Sequence, residues 1–257
     1  MPTVHDIAAN LDALLGGDGI PDYPQALNGI QVENEGEIVK VAAAVDARQR
    51  TIDGAVAAGA NLLIVHHGLF WGGLQRLRGA HRRRVLRLLT ENVALYSAHL
   101  PLDAHPQLGN NVLLARELGL APTAGFARHE GVDIGVAGEA EVAIATLVER
   151  ADRFAREYGG SVRYSDTDLD RPVRRWAICT GAGASAQTLH EARARGIDTL
   201  VVGEGPHWTA IDAQEAGITI IYAGHYATET LGVRALARHV AYAFQLPWVF
   251  IDVPTGL

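Results

Sequence analysis

Residues 62–73 read LLIVHHGLFWGG, an apolar run that ends in two adjacent histidines and a glycine. Such a run, four to eight residues long and closed by glycine, is the pattern of a buried strand, so His66 and His67 are expected at a strand end. Further along, His99 and Asp103 stand four residues apart in SAHLPLD, and His225 and Glu229 repeat that spacing in GHYATE. Imidazole nitrogen with carboxylate oxygen is the ligand set of zinc, iron and manganese. On a regular strand neighbouring side chains point to opposite faces, so the histidine pair could not serve one ion there. At a strand end, where the chain bends at Gly68, both can reach one crevice, and two ions roughly 3.5–4 Å apart suit them better than one. Glu229 is expected to begin a helix capped by Thr228, and its carboxylate is a natural bridge between two cations. Any one of these histidines alone reads more simply as a hydrogen-bonded core or surface residue. Adjacency, and the recurrence of His-x-x-x-carboxylate, weigh against that reading.

The elements that must position these groups are visible as an internal repeat. IDGAVAAGANLLIVHHGLFW (52–71) aligns without a gap on LHEARARGIDTLVVGEGPHW (189–208), each reading as helix, glycine stop, apolar strand and polar turn. KVAAAVDA (40–47) and RWAICTGA (175–182) match upstream, and ALYSAHLPLD (94–103) matches IIYAGHYATE (220–229) downstream, the first half carrying extra residues around LQRLRGAHRRRVLRLL. Strands alternating with helices indicate βαβ units and a largely parallel sheet. The expected fold is therefore a duplicated α/β architecture of two α/β domains with mostly parallel sheets. The first half would span 1–125, completed by 224–257, and the second 126–223, the chain passing between them in the Gly/Ala/Pro-rich segment 119–131. In open parallel sheets ligands bind at the carboxyl ends of strands. His66, His67, His99, His105, His207 and His225 all fall at or just beyond such ends, and Glu204 stands where the repeat has His67.

Composition narrows the partners. The 257 residues are 48% hydrophobic, enough for a sizeable core. With 22 Lys and Arg against 29 Asp and Glu, the net charge of -7 gains nothing from counterion release, which disfavours generic nucleic-acid binding. One cysteine, Cys179, excludes an internal disulfide and a thiolate zinc cluster and fits a reducing cytoplasm. The amino-terminal stretch lacks a basic segment followed by an apolar one, and no apolar run is long enough to span a bilayer. A cytoplasmic protein with a small-molecule substrate and no membrane partner is expected.

Three other motifs compete for a functional role. CTGAGASA (179–186) fits Gly-x-Gly-x-x-Ala after a strand, with Glu204 near the end of the next, a superficial NAD(P) fingerprint. Its simpler reading is a tight turn that glycines permit. The basic helix within 76–89 has Val85, Leu86, Leu88 and Leu89 as its expected apolar side, and its arginines, Arg78 first, could clamp a phosphorylated substrate. Trp71 and Trp208 occupy equivalent places in the repeat, where packing on a neighbouring element is the expected role.

The blocks LNGIQVE (27–33), IVHHGLFW (64–71), SAHLPLDAHPQLGNN (97–111), VVGEGPHW (201–208) and AGHYATE (223–229) occur in order over nearly the whole chain. Together they resemble the signature blocks of the Nif-three-like, YbgI-type family of dinuclear metal-binding proteins, often called GTP cyclohydrolase 1 type 2 homologs. The resemblance implies two α/β domains with a two-metal site in the cleft between them, and assembly into a homo-oligomer, a toroidal hexamer. Carried over position by position, its metal ligands fall on His66, His67, Asp103, His225 and Glu229. His99 and Glu204 are left for proton transfer, for supporting the ligands or for facing substrate. Two divalent ions per chain are implied, with iron, zinc and manganese all compatible. The implied chemistry is hydrolytic: two ions acidify a water and polarise the bond under attack, opening the purine ring of GTP or cleaving another nucleotide, a phosphoester or an amide. A non-catalytic regulatory or scaffold assembly that holds metal is the alternative from a different class.

Overall fold

The computed structural model describes residues 1–16, 19–165 and 168–257. Two compact units are present, Met1–His105 with Gly232–Val253, and Pro106–Leu231 with Pro254–Leu257. In chain order the first unit begins with α1 (Val4–Leu15), β1 (Gly29–Val32), β2 (Val41–Asp46), α2 (Gln49–Ala57), β3 (Leu62–His67), α3 (Gly79–Thr90), β4 (Ala94–Ser97) and α4 (Leu100–Asp103). The second contains α5 (Asn110–Glu117), β5 (Ala124–His129), β6 (Val132–Ala143), α6 (Ile144–Glu157), β7 (Arg163–Tyr164), β8 (Pro172–Cys179), α7 (Ala186–Ala194), β9 (Thr199–Val202), α8 (Trp208–Glu215), β10 (Thr219–Tyr222) and α9 (His225–Thr228). Then α10 (Thr230–Phe244) and β11 (Trp248–Phe250) carry the chain back to the first unit.

The first sheet has the order β1-β4-β3-β2-β11, parallel except for β1. β2 and β3 read as nearly unbroken apolar runs because both faces of a parallel sheet are covered. Ala42, Ala44, Leu63, Val65 and Leu95 form one face and pack on Ile52 and Ala55 of α2 and Leu88 of α3. Asp46 pairs with His67 and Val65 with Ser97. The carboxyl ends of three parallel strands are thereby level, which sets Asp46, the histidine pair and the Ser97–His99 turn along one edge.

The second sheet has the order β5-β6-β8-β9-β10-β7. Its centre, β8-β9-β10, repeats β2-β3-β4 strand for strand, and β7 lies antiparallel on β10 as β1 does on β4. The duplication read from the sequence is thus present in the fold. Residues 119–131 lead into and form β5, which joins β6 through Glu130 and Gly131, both at positive φ. A connection this tight forces antiparallel pairing, so β5, β6 and β7 make this sheet mixed around its parallel centre. Side chains alternate along the strands: Trp176, Ile178, Val201 and Ile221 face α6, while Ala177, Leu200, Val202 and Ile220 face α7 and α8.

Two local expectations are corrected. On α3, Leu88 is buried and Val85 packs beside it, but Leu86 and Leu89 are exposed. At about 100° per residue, 85 and 88 share a face with buried His81 while 86 and 89 turn away. Thr228 does not cap a helix that Glu229 begins. It closes α9, its hydroxyl donating to His225 O at 3.0 Å and accepting from Gly181 N–H at 3.1 Å, and Glu229 sits at the joint before α10. Among the described residues no helix is long and apolar enough to cross a membrane.

Candidate metal centre

The first unit gathers His66, His67 and His99 so that one ligand nitrogen from each lies within 4.8 Å of the others. Adjacent residues on a strand can converge because each ring leans toward a different neighbouring strand. His66 Nδ1 donates to Ala98 O, just past β4, at 2.8 Å. His67 Nδ1 donates to Asp46 Oδ1, at the end of β2, at 2.9 Å. Carbonyl and carboxylate only accept, so in both rings Nδ1 carries the hydrogen and Nε2 presents its lone pair. His66 Nε2 lies 3.5 Å from Asp103 Oδ2, both side chains being almost fully buried. The bend after the pair is fixed by Gln31, whose Oε1 accepts from Leu69 N–H at 2.7 Å and whose amide donates to Ala26 O and Leu27 O. A Cβ at Gly68 would run into that amide.

His99 is held as firmly. Its Nδ1 donates to Asp22 Oδ1 at 2.8 Å, and its backbone N–H donates to Asn28 Oδ1 at 2.7 Å. Asp22 Oδ2 accepts from Asn28 Nδ2 and from Leu100 N–H. Burial opposes charge on both groups. For Asp22 the hydrogen bonds from His99, Asn28 and Leu100 prevail and hold the carboxyl below its usual range. For His99 burial prevails over Asp22 and pushes the imidazole down. The two shifts agree on a neutral ring beside an ionised carboxylate. Trp71 packs edge-on against His99 and His67, with ring centres 4.7 and 5.7 Å away.

The second unit supplies a smaller set. His225 Nδ1 donates to Glu204 Oε1 at 2.9 Å, and its Nε2 lies 3.1 Å from Glu229 Oε2. Burial resists charge on His225, but Glu229 and then Glu204 outweigh it and raise its pKa to about 9. Gly181, at φ +60, leaves the space that Glu229 fills: a Cβ there would collide with Oε1. In the Gly-x-Gly turn, Gly181 is thereby accounted for by carboxylate packing and Gly183 by its close approach to the Cys179 carbonyl.

The residues expected from the sequence thus divide into His66, His67, His99 and Asp103 in one unit and Glu204, His225 and Glu229 in the other. Arg78 is exposed, at the N-cap of α3, where its side chain makes no capping bond. Trp208 opens α8 and is partly exposed. Sequence reasoning missed Asp22 and Asp46, the acceptors that orient His99 and His67. Asp46 closes VAAAVD at the level of His67, so a carboxylate ending the strand beside the histidines was the available signal. In chemical terms the donors are imidazole and carboxylate throughout, which fits a divalent transition metal.

Comparison with known proteins assigns the chain to a family. Residues 2–256 match the Duf34/NIF3 (NGG1p interacting factor 3) family. A protein of Deinococcus radiodurans named GTP cyclohydrolase 1 type 2 homolog is 40% identical, the alignment covering 91% of this chain and 88% of that protein. One of the same name from Pyrococcus abyssi is also 40% identical, covering 98% of each. Among solved structures, the protein ybgI, described as of unknown function, superposes with a TM-score of 0.89 at 34% identity over 99% of this chain and 100% of that one. TTHA1606 from Thermus thermophilus superposes with a TM-score of 0.84 at 38% identity over 98% and 99%. The chain belongs to the Duf34/NIF3 family.

Proposed function

We propose that this chain is a two-metal hydrolase in which His66, His67, Asp103, His225 and Glu229 together hold two divalent ions of iron, zinc or manganese. The observation that supports it is the shared preparation of the histidines. His66, His67, His99 and His225 each commit Nδ1 to a carbonyl or carboxylate and so present Nε2, the arrangement that orients metal-ligating imidazoles. Bound ions would supply Lewis-acid polarisation of the substrate and an acidified water.

The chain's own groups do the rest. Asp46 and Glu204 fix the rings of His67 and His225. Neutral His99, held by Asp22, accepts a proton at Nε2, as a general base must within hydrogen-bond reach. Glu204, half-exposed beside His225, is the second proton-transfer candidate. Arg78 is the candidate clamp for a substrate phosphate. The relatives' name makes GTP the first substrate to try, followed by other nucleotides, phosphoesters and amides. In this reading the chain works in the cytoplasm as a toroidal homohexamer.

The test is turnover of that panel by metal-loaded and chelated protein, with light scattering and circular dichroism on the same samples. The expected result is turnover that chelation abolishes while fold and assembly persist. No turnover by loaded protein, with chelation dissolving the assembly, would instead identify a metal-held scaffold.

A further inference from the structure

We propose that the chain associates with further copies of itself head to tail, the outer face of α3 in one copy packing antiparallel on the outer face of α8 in the next. The inference rests on the homo-oligomer in the reading above and supplies the surfaces that would build it. It makes no use of the metal.

The two faces are what the fold leaves uncovered on equivalent helices. In the duplication α3 and α8 occupy the same place, each running from the second to the third parallel strand of its sheet. Exposed on α3 are Arg82, Arg83, Leu86 and Leu89, and on α8 Trp208, Ile211, Asp212 and Glu215. At about 100° per residue each set falls on one side of its helix, opposite the buried Leu88 or Ala213. Single exposed leucines are ordinary. Here large apolar side chains recur at helical spacing on both outer faces, 41–59% exposed.

Charge is placed the wrong way round for each helix alone. Arg82 and Arg83 stand near the amino end of α3, which has no acidic residue in its first turn. Asp212 and Glu215 stand in the carboxyl half of α8, which has no basic residue in its last turn. The helix dipole favours the reverse, acids at the amino end and bases at the carboxyl end. Arg87, further along α3, is paired with Asp53 and Glu91. Among the described residues Arg82, Arg83, Asp212 and Glu215 have no such ion pair.

Antiparallel packing of the two faces resolves both features. The basic amino half of α3 then meets the acidic carboxyl half of α8, and Leu86 and Leu89 meet Trp208 and Ile211. The spacings agree. From the charged pair to the apolar pair is about five residues on α3 and about four on α8, roughly 6–8 Å along either axis. Tryptophan and arginine are also the side chains that most often anchor protein interfaces. The occupant is another copy because one chain carries both halves of the complementarity. Since the two faces differ, the contact is head to tail, and every copy keeps one face of each kind open until a ring closes.

The experiment uses the full chain over a concentration series. Sedimentation velocity follows assembly, circular dichroism the fold, and mass spectrometry the metal content of the same samples. Four proteins are compared: wild type, Arg82→Glu with Arg83→Glu, Asp212→Arg with Glu215→Arg, and the chain carrying all four changes. Each pair of changes should break the wild-type assembly into smaller species, raising the concentration of half-assembly at least about tenfold, with circular dichroism unchanged. The chain with all four changes should reassemble, because opposite charges again face each other. Independently, Leu86→Cys with Ile211→Cys should form chain-to-chain disulfides on oxidation that neither change forms alone, the native Cys179 being buried. Paired variants that assemble like wild type, a four-change chain that stays dissociated, or a cysteine chain that forms no disulfide overturns the proposal. An oligomeric wild type leaves the homo-oligomer standing when the proposal fails. A wild type that is monomeric throughout refutes both.

Discussion

His225 and His67 show how much of this site lies one bond away from the ligands. Each ring is fixed by a carboxylate on a neighbouring strand end, Glu204 or Asp46. Removing such a partner leaves the ligand in place but lets it turn, at a cost of about 10–100-fold in metal affinity. Glu204→Ala is expected to lower retention of the ion held through His225 by that factor on dialysis, with unchanged circular dichroism because Glu204 is half-exposed. Retention equal to wild type would show that Glu204 does not orient His225. The candidate ligands were legible in the sequence because imidazole and carboxylate at a strand end are themselves the chemistry. Asp22 was not, because it stands 77 residues from the ring it holds, whereas Asp46, 21 residues from His67, left the signal of a carboxylate that ends the preceding strand. Glu204 was visible because the repeat aligns it with His67.

At the scale of elements, the repeat exposed the parallel centre of both sheets, whose strands are short, apolar and separated by helices. What it left hidden were β5, β6 and β7, which lie outside the repeated block and join by tight turns or two-residue pairings. The turn CTGAGASA, which resembles a dinucleotide motif, ends in a cap: Ser185 Oγ accepts from Thr188 N–H at 3.1 Å, and Thr188 returns a contact to Ser185 N–H. Ser185→Ala is expected to destabilise the protein by about 1 kcal/mol in urea unfolding while leaving metal content intact. A change in metal content would mean the turn acts on Glu229 through Gly181. At α1, Asp6 accepts from the Thr3 side chain and backbone, which holds its carboxyl below the usual 3.8. A group depressed on folding stabilises above its unfolded value and loses that contribution as pH falls. Asp6→Ala should therefore be less stable than wild type at neutral pH, and the two curves should converge below about pH 3.8. Parallel curves down to pH 2 would assign the effect to something other than ionisation.

For the molecule as a whole, the duplicated halves do not end where the compact units do. The chain re-enters the first unit at Gly232, and β11 pairs with β2, joining Trp248 to Val41. A three-residue strand carries too little pattern to announce that pairing from sequence. In the proposed reading the donors come from segments far apart in the chain, so metal binds only the native chain and stabilises it by mass action, about 2.7 kcal/mol at a hundredfold excess over Kd. Chelation should accordingly lower Tm, and restored zinc or manganese should raise it again. The central claim, two ions per chain, is tested most directly by metal content. The measurement is mass spectrometry on protein purified without added metal, with His67→Ala and Glu229→Ala beside wild type. The account predicts about two ions in wild type and fewer in both variants. Essentially none in wild type, with no uptake of added iron, zinc or manganese and an unchanged fold, would contradict it and leave the histidines as residues that stabilise strand ends.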